Sequence, residues 1–115
     1  MIVERTVHHD DDKTVGYIEC IFDSSSILLT TYFPKTKILY VSFKRGMTYR
    51  YDNVDQQLYD NFEKADSQGK FFQKEIKNND SLPYSREFEL FEIEKREAEK
   101  KIAEWKEKQE SPLSS

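Results

Sequence analysis

Hydrophobic and polar residues alternate along the first half of the chain and recur at helical spacing along the second. Residues 2–8 and 14–22 are rich in Val, Ile, Tyr, Thr and Phe, the residue types that favour pleated, half-buried backbone. His9-Asp10-Asp11-Asp12-Lys13 separates them as a polar turn, which predicts an N-terminal hairpin over residues 1–25. Asp23-Ser24-Ser25-Ser26 interrupts the pattern. Three strand-like runs follow: Ile27–Phe33, Lys37–Phe43 and Met47–Asp52. Pro34-Lys35-Thr36 divides the first two and Lys44-Arg45-Gly46 the last two, with Gly46 suited to the left-handed position of a three-residue hairpin loop.

That loop sets the register, and register decides which side chains share a face. It pairs Phe43 with Met47, Val41 with Tyr49 and Leu39 with Tyr51, and Ile27 and Leu29 extend this apolar face. Tyr40, Ser42, Thr48 and Arg50 fall on the other, more polar face. The cover for the apolar face comes next in sequence. Leu58, Tyr59, Phe62 and Ala65 have helical spacing within 55–66, with Asn53 or Asp55 as the cap. Phe71, Phe72 and Ile76 mark a second short helix that begins at Ser67 or Gly69 and ends at Asn78, before Pro83. Burial of Leu58, Phe62, Phe72 and Ile76 contributes roughly 1.5–3 kcal/mol each.

From Ser85 to Glu110 there is no Gly or Pro, and strong helix formers dominate. The spacing predicts one long helix over 85–110, with Phe88, Phe91, Lys95, Ala98, Ile102 and Trp105 as a heptad-like seam that Lys95 interrupts. Residues 111–115 read as a flexible tail. The predicted class is therefore α+β: an antiparallel meander sheet of about five strands covered by two short helices, plus a long C-terminal helix.

Composition narrows the function. A chain of 115 residues supports one core. Charged residues make up 35% and the net charge is −4. Residues 1–25 carry a balance of −4, residues 26–84 of +2 and residues 85–115 of −2. A strongly basic nucleic-acid binder is excluded, while a local basic face on the middle segment is not. Cys20 is the sole cysteine, so no intrachain disulfide forms. Without a signal-peptide pattern or a membrane-length apolar run, the expectation is a cytoplasmic protein with no membrane association.

Candidate chemistry is sparse. The glycines stand apart at 16, 46 and 69, so there is no phosphate loop. His8 and His9 are strand neighbours and point to opposite faces, which disfavours a shared metal. Cys20 has no adjacent group to lower its pKa. The expectation is a protein that is not an enzyme and carries no cofactor. Tyr49 and Tyr51 have two readings, as stacking platforms for bases or a peptide and as core tyrosines, and the register favours the core. Tyr40, Lys44, Arg45, Arg50, Lys70 and Lys74 are the candidate nucleic-acid contacts, because phosphates need cations and bases need aromatic planes. Phe88, Phe91, Ile102 and Trp105 are the candidate partner contacts, for a protein partner or for a homodimer through the C-terminal helix.

The quoted runs also carry a resemblance. Ser25-Ser26-Ile27, Leu39-Tyr40-Val41-Ser42-Phe43, Gly46-Met47-Thr48-Tyr49-Arg50-Tyr51 and Ala65-Asp66-Ser67-Gln68-Gly69-Lys70-Phe71-Phe72 are similar to the KTSC domain, named for its place at the C-terminus of some lysyl-tRNA synthetases. The family's central Y-x-Y falls on Tyr49 and Tyr51, and a later aromatic-plus-polar stretch on Phe72-Gln73. The resemblance spans residues 26–86 and implies a small non-catalytic module with RNA binding as its suggested role. The acidic N-terminal hairpin and the charged helix lie outside the minimal domain. These private extensions suit a phage or bacterial accessory protein that binds a protein partner, with nucleic-acid binding as the alternative.

Overall fold

The computed structural model describes residues 1–110. Six antiparallel strands form one sheet in sequence order: β1 (Ile2–His9), β2 (Val15–Phe22), β3 (Ile27–Phe33), β4 (Ile38–Phe43), β5 (Met47–Tyr51) and β6 (Tyr84–Glu89). The helices are α1 (Gln56–Lys64), α2 (Gln68–Phe71), which widens directly into a π-helical segment Phe72–Lys77, and α3 (Glu92–Glu110). The predicted α+β meander stands, with one strand more than the expected five. The hairpin predicted over residues 1–25 forms as β1 and β2, and β2 pairs with β3 so that it continues the sheet. The tail predicted at 111–115 lies outside the described residues.

The β4–β5 register is the predicted one: Leu39 opposite Tyr51, Val41 opposite Tyr49, Tyr40 opposite Arg50 and Ser42 opposite Thr48. Gly46 closes the turn at φ +103°, where a side chain would be strained. Across the first face, α1 and the π-helical segment seal a continuous core. Tyr32 stacks on Tyr59 at 4.1 Å, Phe22 meets Phe62 edge-on at 5.4 Å, and the Tyr32 hydroxyl donates to the Val54 carbonyl at 2.7 Å. Asp55 caps α1 by accepting from the Leu58 amide at 2.8 Å, while Asn53 takes a left-handed turn conformation instead.

Two expectations need correction. Leu29 does not join Ile27 on this face. An irregularity between Ile27 and Leu29 sets Ile27 opposite Phe43 but Leu29 opposite Ser42, so the extra residue carries Leu29 to the other side. There Leu28 and Leu29 pack with Ala98 and Ile102 in a second, smaller cluster.

The long helix also starts later than predicted. Residues 84–89 are strand, not helix, because β5 leaves an unpaired edge and Tyr84–Glu89 pairs along it from Tyr51 to Met47. Ladder hydrogen bonds outweigh the few tenths of a kcal/mol per residue by which these side chains favour helix. The helix starts at Glu92, just after Phe91, whose amide donates to the Glu94 carboxylate at 3.0 Å, half of a capping box. From there α3 runs 19 residues, about 28 Å at 1.5 Å per residue. It lies across the second face of the sheet. Ala98 and Ile102 are buried, Lys101 pairs with Glu4 at 2.8 Å, and Lys106 pairs with Asp23 at 3.4 Å. Exposed pairs of this kind contribute little, so the apolar contact is what holds the helix.

Candidate functional site

Each face of the sheet presents one surface of interest. On the α3 face, a row of rings crosses the strands, half-buried from His8 to Tyr40 and exposed at Phe88. His8 stacks on Tyr17 at 4.2 Å, Tyr17 meets Phe33 at 5.4 Å, Phe33 meets Tyr40 at 5.9 Å and Tyr40 meets Phe88 at 6.4 Å. The row ends at the corner where β6 gives way to α3. A groove of about 420 Å³ opens there, floored by Leu29, Phe33, Tyr40 and Phe88 and rimmed by Glu19, Glu87 and Glu94. Phe88, Phe91 and Ile93 around this corner are 50%, 76% and 66% exposed.

The opposite face is sealed except near its β5–β6 edge. Between that edge and the π-helical segment lies a cleft of about 570 Å³. Five aromatic rings wall it: Phe43, Tyr49, Tyr51, Phe72 and Tyr84. Phe72 meets Tyr51 edge-on at 5.3 Å and Phe43 at 5.4 Å, and Tyr84 stacks on Tyr51 at 5.8 Å. Ser26, Gln73, Lys77 and Asn78 supply the polar wall. A neighbouring groove shares Ser26, Gln73 and Asn78 and adds Ser67, Gly69, Lys70 and Lys74. Gly69 permits a close approach here, since a Cβ at this position would lie 3.1 Å from the Ser26 Oγ.

The candidate nucleic-acid contacts therefore do not form one surface. Tyr40 and Arg50 lie on the α3 face, Tyr40 in the acid-rimmed groove and Arg50 bound to Asp52 at 2.7 Å. That bond and the Asp52 charge raise the Arg50 pKa further. Lys44 and Arg45 occupy the β4–β5 turn, and the Lys44 amide donates to the Ser26 carbonyl at 2.9 Å beside the cleft. Lys70 and Lys74 stand along the groove next to it. Sequence reasoning did not join Lys77, Gln73 and Asn78 to the aromatic pair, although Phe72-Gln73 carries part of the resemblance and Lys77 belongs to the basic middle segment; the helical phase of residues 73–78 against Phe72 and Ile76 is the signal that could have joined them.

The candidate partner contacts also divide. Phe88 sits on β6 and Phe91 just ahead of α3, both exposed, whereas Ile102 is turned onto the sheet and Trp105 is half-buried. The predicted seam is thus split between two elements. Tyr49 and Tyr51 take the positions that the register favours. Tyr51 is buried and Tyr49 half-buried, as core residues, yet both also wall the cleft. Burial pushes the Tyr51 hydroxyl up to about 12. Burial likewise pushes the Cys20 thiol up to about 11, so it holds almost no thiolate at neutral pH. Among the described residues, no helix is long and apolar enough to cross a membrane.

An antiparallel meander with a helical cover on one face and an aromatic Y-x-Y cleft at its edge defines a small α+β module. The chain belongs to the KTSC domain family: the KTSC domain model matches residues 23–79. The crystal structure of a KTSC domain protein from Yersinia pestis is similar at 30% identity and a TM-score of 0.57, over 61% of this chain and 96% of that one. No curated protein matches. Every cleft residue except Tyr84 falls within the matched span. Strands β1, β2 and β6 and helix α3 lie outside it.

Proposed function

We propose that this chain is a non-catalytic interaction module, a cytoplasmic bacterial or phage accessory protein, that binds a protein partner at the β6–α3 corner. The observation that carries the reading is that three large exposed apolar residues, Phe88, Phe91 and Ile93, fall within the short stretch of chain where β6 gives way to α3. Exposed large apolar side chains gathered in one region are the usual mark of a protein interface. Beside it, β6 is the outer strand of the sheet with all six residues exposed, so its outward backbone groups are free to pair with an added strand. Glu19, Glu87 and Glu94 around the groove favour a partner segment that carries Lys or Arg, and they repel phosphate. A homodimer through α3 has less support, because Ala98 and Ile102 are already committed to the sheet.

The test compares the wild-type chain with the double variant Phe88→Ser, Phe91→Ser in affinity capture from host extract. Both side chains are exposed, so thermal stability should stay near wild type. Proteins held by the wild type and released by the variant support the reading. Retention of the same proteins by both would refute it.

A further inference from the structure

The aromatic cleft lies on the other face of the sheet from the corner and differs from it in charge. Among the described residues, no carboxylate lines the cleft, and Lys77 stands in its wall. An ammonium ligand, the usual guest of an aromatic cage, would meet an unopposed cation there. Gln73 and Asn78 bring exposed amides to the polar wall, which a purely apolar ligand would not use. Each amide offers both donors and an acceptor, which suits the edge of a heteroaromatic ring. Tyr49 and Tyr84, with centroids 6.4 Å apart and planes inclined at 42°, offer ring faces for such a ring to stack on. The shared residues Ser26, Gln73 and Asn78 lead directly to Lys70 and Lys74, which would neutralise an anionic group.

We propose that this cleft binds one nucleotide, its base stacked on the Tyr49 and Tyr84 rings and its phosphate directed to Lys77, Lys70 and Lys74. The cleft volume of about 570 Å³ lies within the roughly 300–1,000 Å³ of small-ligand sites. The nucleotide comes either free or as part of a single strand, and both share this chemistry. The Tyr40 and Arg50 side of the sheet takes no part.

Amide-resolved NMR titration of the full chain tests the proposal, with adenosine and uridine monophosphates, the matching nucleosides, inorganic phosphate and hexanucleotides as probes. The expected result is saturable shifts at Tyr49, Gln73 and Lys77, with monophosphates binding more tightly than nucleosides. Tyr84→Ala and Lys77→Glu alter exposed side chains, so folding should survive, and each should weaken binding about tenfold. Lys77→Glu should also flatten the salt dependence, and Phe88→Ser, Phe91→Ser should leave binding unchanged. A hexanucleotide that binds more than about tenfold tighter than the monomer identifies a strand as the source; equal affinities identify a free nucleotide. The proposal is overturned if no probe shifts the cleft amides at millimolar concentration, if inorganic phosphate alone reproduces the shifts, or if binding survives both variants.

Discussion

Replacing Ile102 by alanine distinguishes a helix docked on the sheet from one that projects for a partner. Ile102 is 9% exposed and packs with Leu28 and Ala98, against half-buried Val3, Ile21, Leu29 and Leu90. Buried Ile→Ala changes cost about 2–5 kcal/mol. This cluster lies outside the main core and is bounded by half-exposed residues, so the site can relax and the low end, about 2 kcal/mol, applies. For a chain of this length 1 kcal/mol shifts Tm by about 4 °C, so Tm should fall by about 8 °C. The exposed control Glu99→Ala should move it by less than about 2 °C. Thermal melts followed by far-UV circular dichroism read both quantities. A second outcome is local: if α3 detaches before the sheet unfolds, its ellipticity is lost first, because an isolated 19-residue helix is marginal in water. An Ile102→Ala variant with unchanged Tm and unchanged helicity would refute the docked arrangement.

Three other perturbations probe the core and its turns. The Cys20 thiol and the Tyr32 and Tyr51 hydroxyls sit at about 11, 12 and 12, raised by burial from ordinary values of 9.0 and 10.0. Their neutral forms favour the fold, so this stability is complete below pH 9 and is lost as pH climbs through 11 to 12; urea midpoints across pH 8–12 should fall, and a flat profile would count against burial of these groups. Gly46→Ala places a side chain at φ +103° and should cost about 1 kcal/mol or more by chemical denaturation. Asp55→Ala removes the α1 cap and should cost about 1 kcal/mol, with Asn recovering most of it.

The meander was legible because its turn chemistry fixed its register. Gly46 set the β4–β5 pairing, and that pairing correctly separated Leu39, Val41 and Tyr51 from Tyr40, Ser42 and Thr48. Leu29 was misplaced because a one-residue irregularity leaves no mark on an Ile-Leu-Leu run whose every residue suits a buried position. Residues 84–89 were misread for a related reason. Their helix propensity is a local quantity, whereas the open edge of β5 is a tertiary one. Of the two surfaces, the exposed Phe88 and Phe91 were found by type alone. The cleft was half found: Tyr49, Tyr51 and Phe72 were singled out as a motif, but not their meeting with Lys77 and Tyr84, which are distant in sequence.

Strand β6 underlies both proposals, since Tyr84 at its start walls the cleft and Phe88 near its end forms the corner. Backbone chemical shifts and interstrand contacts of residues 84–89 in solution test it most directly. The account predicts strand-type Cα shifts throughout and nuclear Overhauser contacts linking Thr48 to Phe88 and Tyr51 to Tyr84. Helical shifts running unbroken from Ser85 into α3 would contradict it and would dissolve both surfaces at once.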